Sequence, residues 1–468
     1  MERVLEECDR AAVAFQADPV HDLRVSLRRC RSLADGLMAM DPSPAWKDMK
    51  KAGKKLFQAL GELRDMHVMQ VWIEKLGDPN DPVSLKLLDH VHTGEAQAKQ
   101  EAFKDLDQFD RKQWRQWSRS LPRRASRVRS GSIVFKHLAL EKWTAAYDLH
   151  KRAIRTRSQT SLHELRIGIK RFRYTVENFL PREHAAWGDD LKELQDLLGE
   201  VHDLDVLWAT AIKIGAFHDL ESRRRWREKL NHERTKRIGC YREKMLGRES
   251  LWRKWRAELP SGPQLRAAAL NRLQVWAAFL DPDFGHSQRV TRLSLQLYDG
   301  LRQAELLATH SDQDLRAVLQ AAALLHDVGR AKGEKQHHKD SFRMIRKLTQ
   351  PLGWSARELR MAAVVARYHR GGLPGGRKKT LQQLELPDRR PAVQLAAVLR
   401  LANALDLHNG TQPNVEVAAD HQVVTLRAAA YSPLNRTAEG IAAARHLLET
   451  VLHKPVLVRA LREPGSHR

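Results

Sequence analysis

Residues 20–31 read VHDLRVSLRRCR, and residues 162–173 read LHELRIGIKRFR. In the first stretch His21, Arg24, Arg28 and Arg31 step by three, four and three positions. His163, Arg166, Lys170 and Arg173 repeat those steps in the second. Residues so spaced lie on one stripe of an α-helix. Val25, Leu27 and Leu33 fall largely off the stripe and are left to pack. Like charges three and four residues apart lower helix stability. A chain that carries this burden twice needs a reason, and an anion lying along the stripe supplies one. Guanidinium forks match phosphate oxygens two at a time, and Lys170 adds a compact charge.

Each stretch is followed by a second match, LFQALGELRDMHV at 56–68 and LQDLLGEVHDLDV at 194–206. Both pairs are about 140 residues apart. Two ordered matches at nearly equal spacing indicate a tandem duplication. Glycine and proline are sparse here, and leucines recur at helical spacing: Leu56, Leu60 and Leu63, or Leu194, Leu197 and Leu198. The expectation is a mainly α protein. Its first domain, 1–259, should be two helical bundles, about 1–120 and 130–259, related by a pseudo-twofold axis. A soft break lies from Leu121-Pro122 to Gly131. The clearest break is Leu259-Pro260-Ser261-Gly262-Pro263. Residues 260–263 are therefore read as a linker, and 264–468 as a second, helical domain. Within it, helix should continue to about His408. The alternating, Val-rich run 414–427 reads as a β-hairpin turning at Ala419-Asp420-His421. A helix from about Thr437 to His453 and a short strand near Val456–Val458 should close the chain.

The 468 residues carry a formal net charge of +24 and an isoelectric point near 10.2, which favours polyanionic partners. The excess is shared evenly between the halves and is not a basic tail. Additional cations cluster at Lys50, Lys51, Lys54 and Lys55, at Arg123, Arg124, Arg127 and Arg129, and at Lys151, Arg152, Arg155 and Arg157. Few aromatics interleave with the basic stripes, and no helix-turn-helix is evident, which disfavours nucleic acid. Trp114, Trp117, Trp226, Trp252 and Trp255 read as core. No apolar run approaches the ~20 residues of a membrane span. The start lacks a signal-peptide layout. Cys8, Cys30 and Cys240 are scattered, so a cytoplasmic protein with reduced thiols is expected. The sequence does not fix the oligomeric state, and a homodimer is compatible with it.

The second half holds a different constellation: His286, then His326-Asp327, then Asp406. Imidazole and carboxylate are ligands for Mg²⁺, Mn²⁺ or another transition-metal ion. His326-Asp327 ends the apolar run from Ala321. Adjacent residues on a helix point about 100° apart, so both can reach an ion held between helices. Asp406 lies in Leu399-Arg-Leu-Ala-Asn-Ala-Leu-Asp, read as a buried helix, where an unpaired carboxylate would be costly; that cost argues for a metal partner. His21-Asp22, His202-Asp203 and His218-Asp219 lack this context and read as structural.

The duplicated pattern His-x-Leu-Arg-x-x-x-(Arg/Lys)-Arg-x-Arg resembles the CHAD domain over about residues 1–258. That family is all-helical, with two bundles facing each other across a basic channel that binds inorganic polyphosphate. The resemblance implies that Arg24, Arg28, Arg31, Arg166, Lys170 and Arg173 line the channel. His21, His163, Lys51 and Lys54 are further candidates by position. Residues 264–468 resemble the HD superfamily of metal-dependent phosphohydrolases. More narrowly, they resemble the C-terminal domain of the exopolyphosphatase and guanosine pentaphosphate phosphatase family. This narrower likeness rests on residues 337–341 (HHKDS), 366–370 (ARYHR) and the hairpin-plus-helix ending. In that family catalysis belongs to an actin-like N-terminal domain, for which this chain has a CHAD-like domain instead.

Two readings follow. In one, a metal-dependent site acts on polyphosphate or a related phosphate ester or anhydride. His286, His326, Asp327 and Asp406 would ligate the metal, with Asp327 also orienting water. His338 and His369 would complete a second metal site or act as acid. Arg330, Lys332, Lys339 and Arg370 would neutralise phosphate charge. In the other, both domains only bind, as in a polyphosphate-granule or regulatory factor with a vestigial metal centre. The intact ligand set favours the first.

Overall fold

The computed structural model describes residues 1–13, 15–307, 315–376, 378–407, 414–429, 431–434 and 437–461. Among these are eighteen α-helices and one three-stranded sheet. The chain divides into two compact units, Met1–Gln264 and Leu265–Arg468.

The first unit opens with α1 (Glu2–Val13), α2 (Ala17–Leu37), α3 (Pro44–Ala52), α4 (Lys54–Leu76), α5 (Pro82–Asp107) and α6 (Arg111–Ala125). It continues with α7 (Ile133–Thr156), α8 (Gln159–Phe179), α9 (Pro181–Lys213), α10 (Leu220–Met245) and α11 (Leu251–Ala257). The duplicated stretches fall on α2 and α8, and their followers on α4 and α9. Gly53 separates α3 from α4, whereas Leu191 stands at the matching place and α9 runs unbroken for 33 residues. Glycine inside a helix costs about 1 kcal/mol relative to alanine, so the break falls where it is cheapest. Pro122 does not end α6, which continues to Ala125; the break expected from Leu121 begins only after that residue.

Counterpart meets counterpart: α2 packs on α8, and α4 on α9. Gly36 permits the first approach, because a Cβ there would lie 2.2 Å from the Phe179 ring. Phe179 in turn stacks on Phe135 at 4.3 Å between centroids. Asn178 donates to the Ser32 hydroxyl across the same seam at 2.9 Å.

Helix α12 (Gly262–Leu280) begins inside the stretch read as a linker. Pro263 is tolerated there because a first-turn residue has no intrahelical N–H bond to lose. The second unit continues with α13 (Phe284–Gln303), α14 (Leu315–Leu325), a 3₁₀ turn at Val328–Lys332, α15 (His337–Ile345) and α16 (Ala356–Arg367). After a 3₁₀ turn at Leu381–Gln383 comes α17 (Leu386–Leu405). Helix α14 is apolar around much of its circumference and is accordingly central, with Ala321, Ala322, Ala323 and Leu325 fully buried. The expected end of helix at His408 lies outside the described residues.

Strands β1 (Val415–Ala419) and β2 (Val424–Ala428) form the expected hairpin, with Val417 opposite Leu426. The turn is one step later than Ala419, because Asp420 accepts from the Gln422 and Val423 amides. Helix α18 (Thr437–Leu452) then returns β3 (Val456–Ala460) parallel to β2.

Replacing Gly36 by alanine should force Phe179 out of its stack. The expected loss is about 1–3 kcal/mol from overpacking, read as a lower denaturant midpoint for the first unit. An unchanged midpoint would show that the α2–α8 seam is not close-packed.

Candidate functional sites

The first site lies where α2 meets α8. Leu23, Leu27 and Leu37 on one helix, and Leu165, Ile169 and Phe172 on the other, are buried. Their packing leaves Arg24, Arg28, Arg166 and Lys170 half-buried in a single cluster. Burial, together with Arg166, Arg24 and Arg28, pushes the Lys170 amine down to about 8. Burial likewise lowers the Arg24 guanidinium. Two carboxylates at matching places in the repeats, Asp65 and Asp203, face the same cations. Burial raises both, Asp203 to about 6, with Arg166 opposing it there and Arg24 opposing it at Asp65.

Aromatic rings carry some of this charge. The Arg24 and Arg31 guanidinium carbons lie 5.2 and 5.1 Å from the centre of the Phe57 ring. Arg28 and Lys170, from opposite repeats, lie 5.4 and 5.9 Å from that of Tyr174. Each such contact is worth roughly 0.5–2 kcal/mol, too little to replace a counter-ion. Among the polar groups of the two repeats that are buried with no hydrogen-bond partner in the described residues are the donors Arg24 Nη1, Arg173 Nε and the Tyr174 hydroxyl, His163 Nδ1, and the acceptors Glu177 Oε2 and Gln195 Oε1. A cleft of about 260 Å³ lies between α8 and α9, lined by Arg166, Lys170 and Gln195 and by the acids Asp196, Glu200 and Asp203.

The other cations expected on this surface are placed differently. Arg31 donates to the Lys50 carbonyl at 2.6 Å and so holds the end of α3. Arg173 lies 3.9 Å from Glu177. His163 packs on His202, 4.7 Å between ring centres. His21, Lys51 and Lys54 are exposed. Reading the stripe alone could not reveal Phe57, Asp65, Tyr174 or Asp203. The last two matched segments do contain Asp65 and Asp203 at equivalent places, and that was the available signal.

The second site is built at the end of α14. His326 donates its Nδ1–H to the Ala323 carbonyl at 2.7 Å, and His369 does the same to Ala366 at 2.7 Å. His337 donates Nδ1–H to Glu334 at 2.9 Å. A carbonyl can only accept, so each ring presents its Nε2 inward. All three Nε2 atoms surround Asp327 Oδ1, at 3.6 Å for His326, 3.2 Å for His337 and 3.6 Å for His369. The Nε2 atoms of His337 and His369 face each other at 3.2 Å. Two lone pairs so close repel unless a proton or a metal ion lies between them. Gly329 makes the arrangement possible: a Cβ there would lie 2.2 Å from the His337 carbonyl.

Burial pushes His326 down, and His369 well down. Burial also opposes ionisation of Asp327. The surrounding imidazoles outweigh it and hold the carboxyl well below the usual carboxylate range. His337 moves the other way, raised by its bond to Asp327 against its own burial.

His286 opens α13, where its backbone N–H is capped by Asp283 at 3.1 Å. Its ring lies 5.4 Å from that of His326. Two groups could hold a metal ion, each with ligand atoms within 4.8 Å of one another: His286, His326 and Asp327, and Asp327, His337 and His369. Asp327 belongs to both.

Asp406 belongs to neither group. It pairs with Arg289 at 2.9 Å and with His286 Nδ1 at 2.7 Å. Protein side chains therefore meet the cost of its burial, and the argument that this carboxylate needs a metal fails. His338 is also outside the cluster, its ring centre 6.3 Å from that of His369; His337 takes the place expected for it. The sequence held the signal, because His337, Ser341 and Ile345 form the buried i, i+4, i+8 face of α15. Arg330 donates to Glu334 at 2.9 and 2.7 Å, and Lys339 to Gln336 at 2.9 Å. Lys332 and Arg370 are exposed.

These sites can be set beside known families. Residues 2–211 match the CHAD domain, and residues 266–439 match Ppx/GppA phosphatase, domain III. The chain therefore joins a CHAD domain to a Ppx/GppA domain III. No curated protein matches it. Among the described residues no helix is long and apolar enough to cross a membrane.

A metal ion held by His337 must displace the proton that Asp327 stabilises there. With the His337 pKa raised, that proton persists to higher pH. Mn²⁺ affinity should thus fall as pH is lowered through the His337 pKa, with proton release on binding, measured by calorimetry in buffers of different ionisation enthalpy. Affinity independent of pH would contradict the assignment of His337.

Proposed function

We propose that the protein binds inorganic polyphosphate between α2 and α8 and hydrolyses a phosphoanhydride or phosphate ester at a divalent-metal centre built on Asp327. The observation that carries the binding half is the set of buried, unpartnered groups from both repeats amid clustered cations. A buried donor without an acceptor costs about 1–3 kcal/mol, and a polyanion would satisfy several at once. Nucleic acid fits less well. The aromatic rings here, Phe57 and Tyr174, are covered by cations rather than open to bases. The match to a CHAD domain supports the same ligand.

For the hydrolytic half, the donor set fits a metal. His286, His326 and Asp327 would hold one ion, and Asp327, His337 and His369 a second. The imidazole-rich set suits a transition ion such as Mn²⁺ better than Mg²⁺. A bound ion supplies Lewis-acid activation of a phosphoryl oxygen and of water. The chain's own residues do the rest. The backbone carbonyls of Ala323, Glu334 and Ala366 fix the tautomers, and Asp327 stays ionised between them. Asp406 holds His286 at Nδ1, and the ring's Nε2, which meets Asn403 Oδ1 at 2.9 Å, would exchange that bond for an ion. Lys332 and Arg370, each next to this centre in sequence, are the remaining phosphate contacts. Carrying both sites on one chain raises the effective concentration of a bound polymer at the second site. The cytoplasm, at polyphosphate granules, is the expected location.

A binding-only protein is the second reading. It is favoured by Asp406, which is engaged by Arg289. One assay separates the two. With Mn²⁺ and long-chain polyphosphate the protein should release phosphate, and His326→Ala/Asp327→Ala should reduce the rate at least a hundredfold while leaving binding intact. Arg24→Glu/Arg166→Glu should abolish binding without unfolding the chain. Tight binding with no turnover on polyphosphate or nucleotides would establish the binding-only reading. Equal competition by double-stranded DNA at moderate salt would overturn polyphosphate as the ligand.

A further inference from the structure

Tyr174 breaks the symmetry of the duplicated cleft. It follows Arg173 on α8, and its counterpart on α2, one place after Arg31, is Ser32. Ser32 is spent within the protein: its hydroxyl donates to the Arg29 carbonyl at 3.0 Å and accepts from Asn178 at 2.9 Å. Tyr174 is not. Arg28 of one repeat and Lys170 of the other both lie against its ring, at 5.4 and 5.9 Å from the ring centre. Its hydroxyl is buried with no partner.

A phenol can give one hydrogen, and it needs an acceptor to give it to. Guanidinium and ammonium groups only donate. The cations against the ring therefore cannot satisfy the hydroxyl proton. Nor does Glu177 do so; its buried Oε2 accepts no hydrogen bond and has Arg173 as its ion-pair neighbour at 3.9 Å. We infer that Tyr174 is a ligand-binding residue of this cleft, its hydroxyl donating to an oxyanion of a phosphate that lies between Arg28 and Lys170. Burial raises the hydroxyl's pKa, with Arg28 the first of the neighbours opposing it, so the donor keeps its proton. Only one wall carries this donor, so the two walls hold the anion unequally, and a chain held there meets a cation-and-phenol wall on α8 and a cation wall on α2.

This inference rests on polyphosphate binding in the cleft, and the test separates the two. Full-length wild type and Tyr174→Phe are titrated with long-chain polyphosphate over a series of salt concentrations, and both are unfolded thermally without ligand. Phenylalanine keeps the ring against the cations and removes only the hydroxyl. Affinity should fall about tenfold or more, as expected for one hydrogen bond to a charged acceptor. The slope of affinity against salt should not change, because no charge is removed. The unliganded midpoint should hold or rise, because a buried unsatisfied hydroxyl has gone. Tyr174→Ser, which restores the residue type of the other repeat but removes the ring, should bind at least as poorly as Tyr174→Phe. If wild type binds and Tyr174→Phe binds as tightly, the assignment of Tyr174 is wrong and the cleft stands. A loss of affinity matched by a loss of thermal stability would make Tyr174 structural and would also overturn it. If wild type binds no polyphosphate, the reading of the cleft falls, and this inference with it.

Discussion

The first unit is organised around an unfavourable contact. Arg24 and Arg28 on α2 are pressed toward Arg166 and Lys170 on α8 by the apolar faces of the same two helices. Burying like charges together is expensive unless something of opposite sign joins them. Asp65 and Asp203 supply part of it, but burial raises their own pKa values and weakens them as counter-ions. Phe57 and Tyr174 spread some of the charge over their faces. What remains uncompensated is the capacity to take up an anion. The hydrophobic seam thus holds the cations in a cluster that would disperse in a free helix, and under the proposed function a polyanion would relieve the stored repulsion.

The second unit solves a related problem with opposite means. Here one carboxylate oxygen, Asp327 Oδ1, is surrounded by three imidazole nitrogens whose orientation is fixed by backbone carbonyls. The scaffold explains why the tautomers are fixed. The carbonyls of Ala323 and Ala366 lie three residues before His326 and His369, in the last turns of α14 and α16, where no amide four residues on takes them up. A helix end with unused carbonyls is a natural holder for a histidine whose other nitrogen must face a metal. Gly329, with no side chain, lets α15 close over the cluster and bring His337 into it.

Much of this was legible in sequence. Two matched pairs at nearly equal spacing pointed to a duplication, and the two arginine-and-lysine stripes marked the helices that meet. His326-Asp327 at the end of an apolar helix marked the candidate metal centre. What was not legible depends on contacts between distant segments. Whether Asp406 lacks a partner is decided by Arg289, more than a hundred residues away in the chain. Which histidine of His337-His338 turns inward needs the register of α15. The phase of its buried face, ending at Ile345, carried that information. Arg31 and Arg330 have the right charge, yet their partners Lys50 and Glu334 are visible only in three dimensions. Charge periodicity identifies a surface but does not say which of its members are already engaged.

A crystal structure of the protein with a short-chain polyphosphate would test the central claim most directly. Phosphate density should lie between α2 and α8, within hydrogen-bonding distance of Arg24 from one repeat and of Arg166 or Lys170 from the other. Density confined to the exposed lysines at 51 and 54, with none at the α2–α8 cations at saturating ligand, would contradict it.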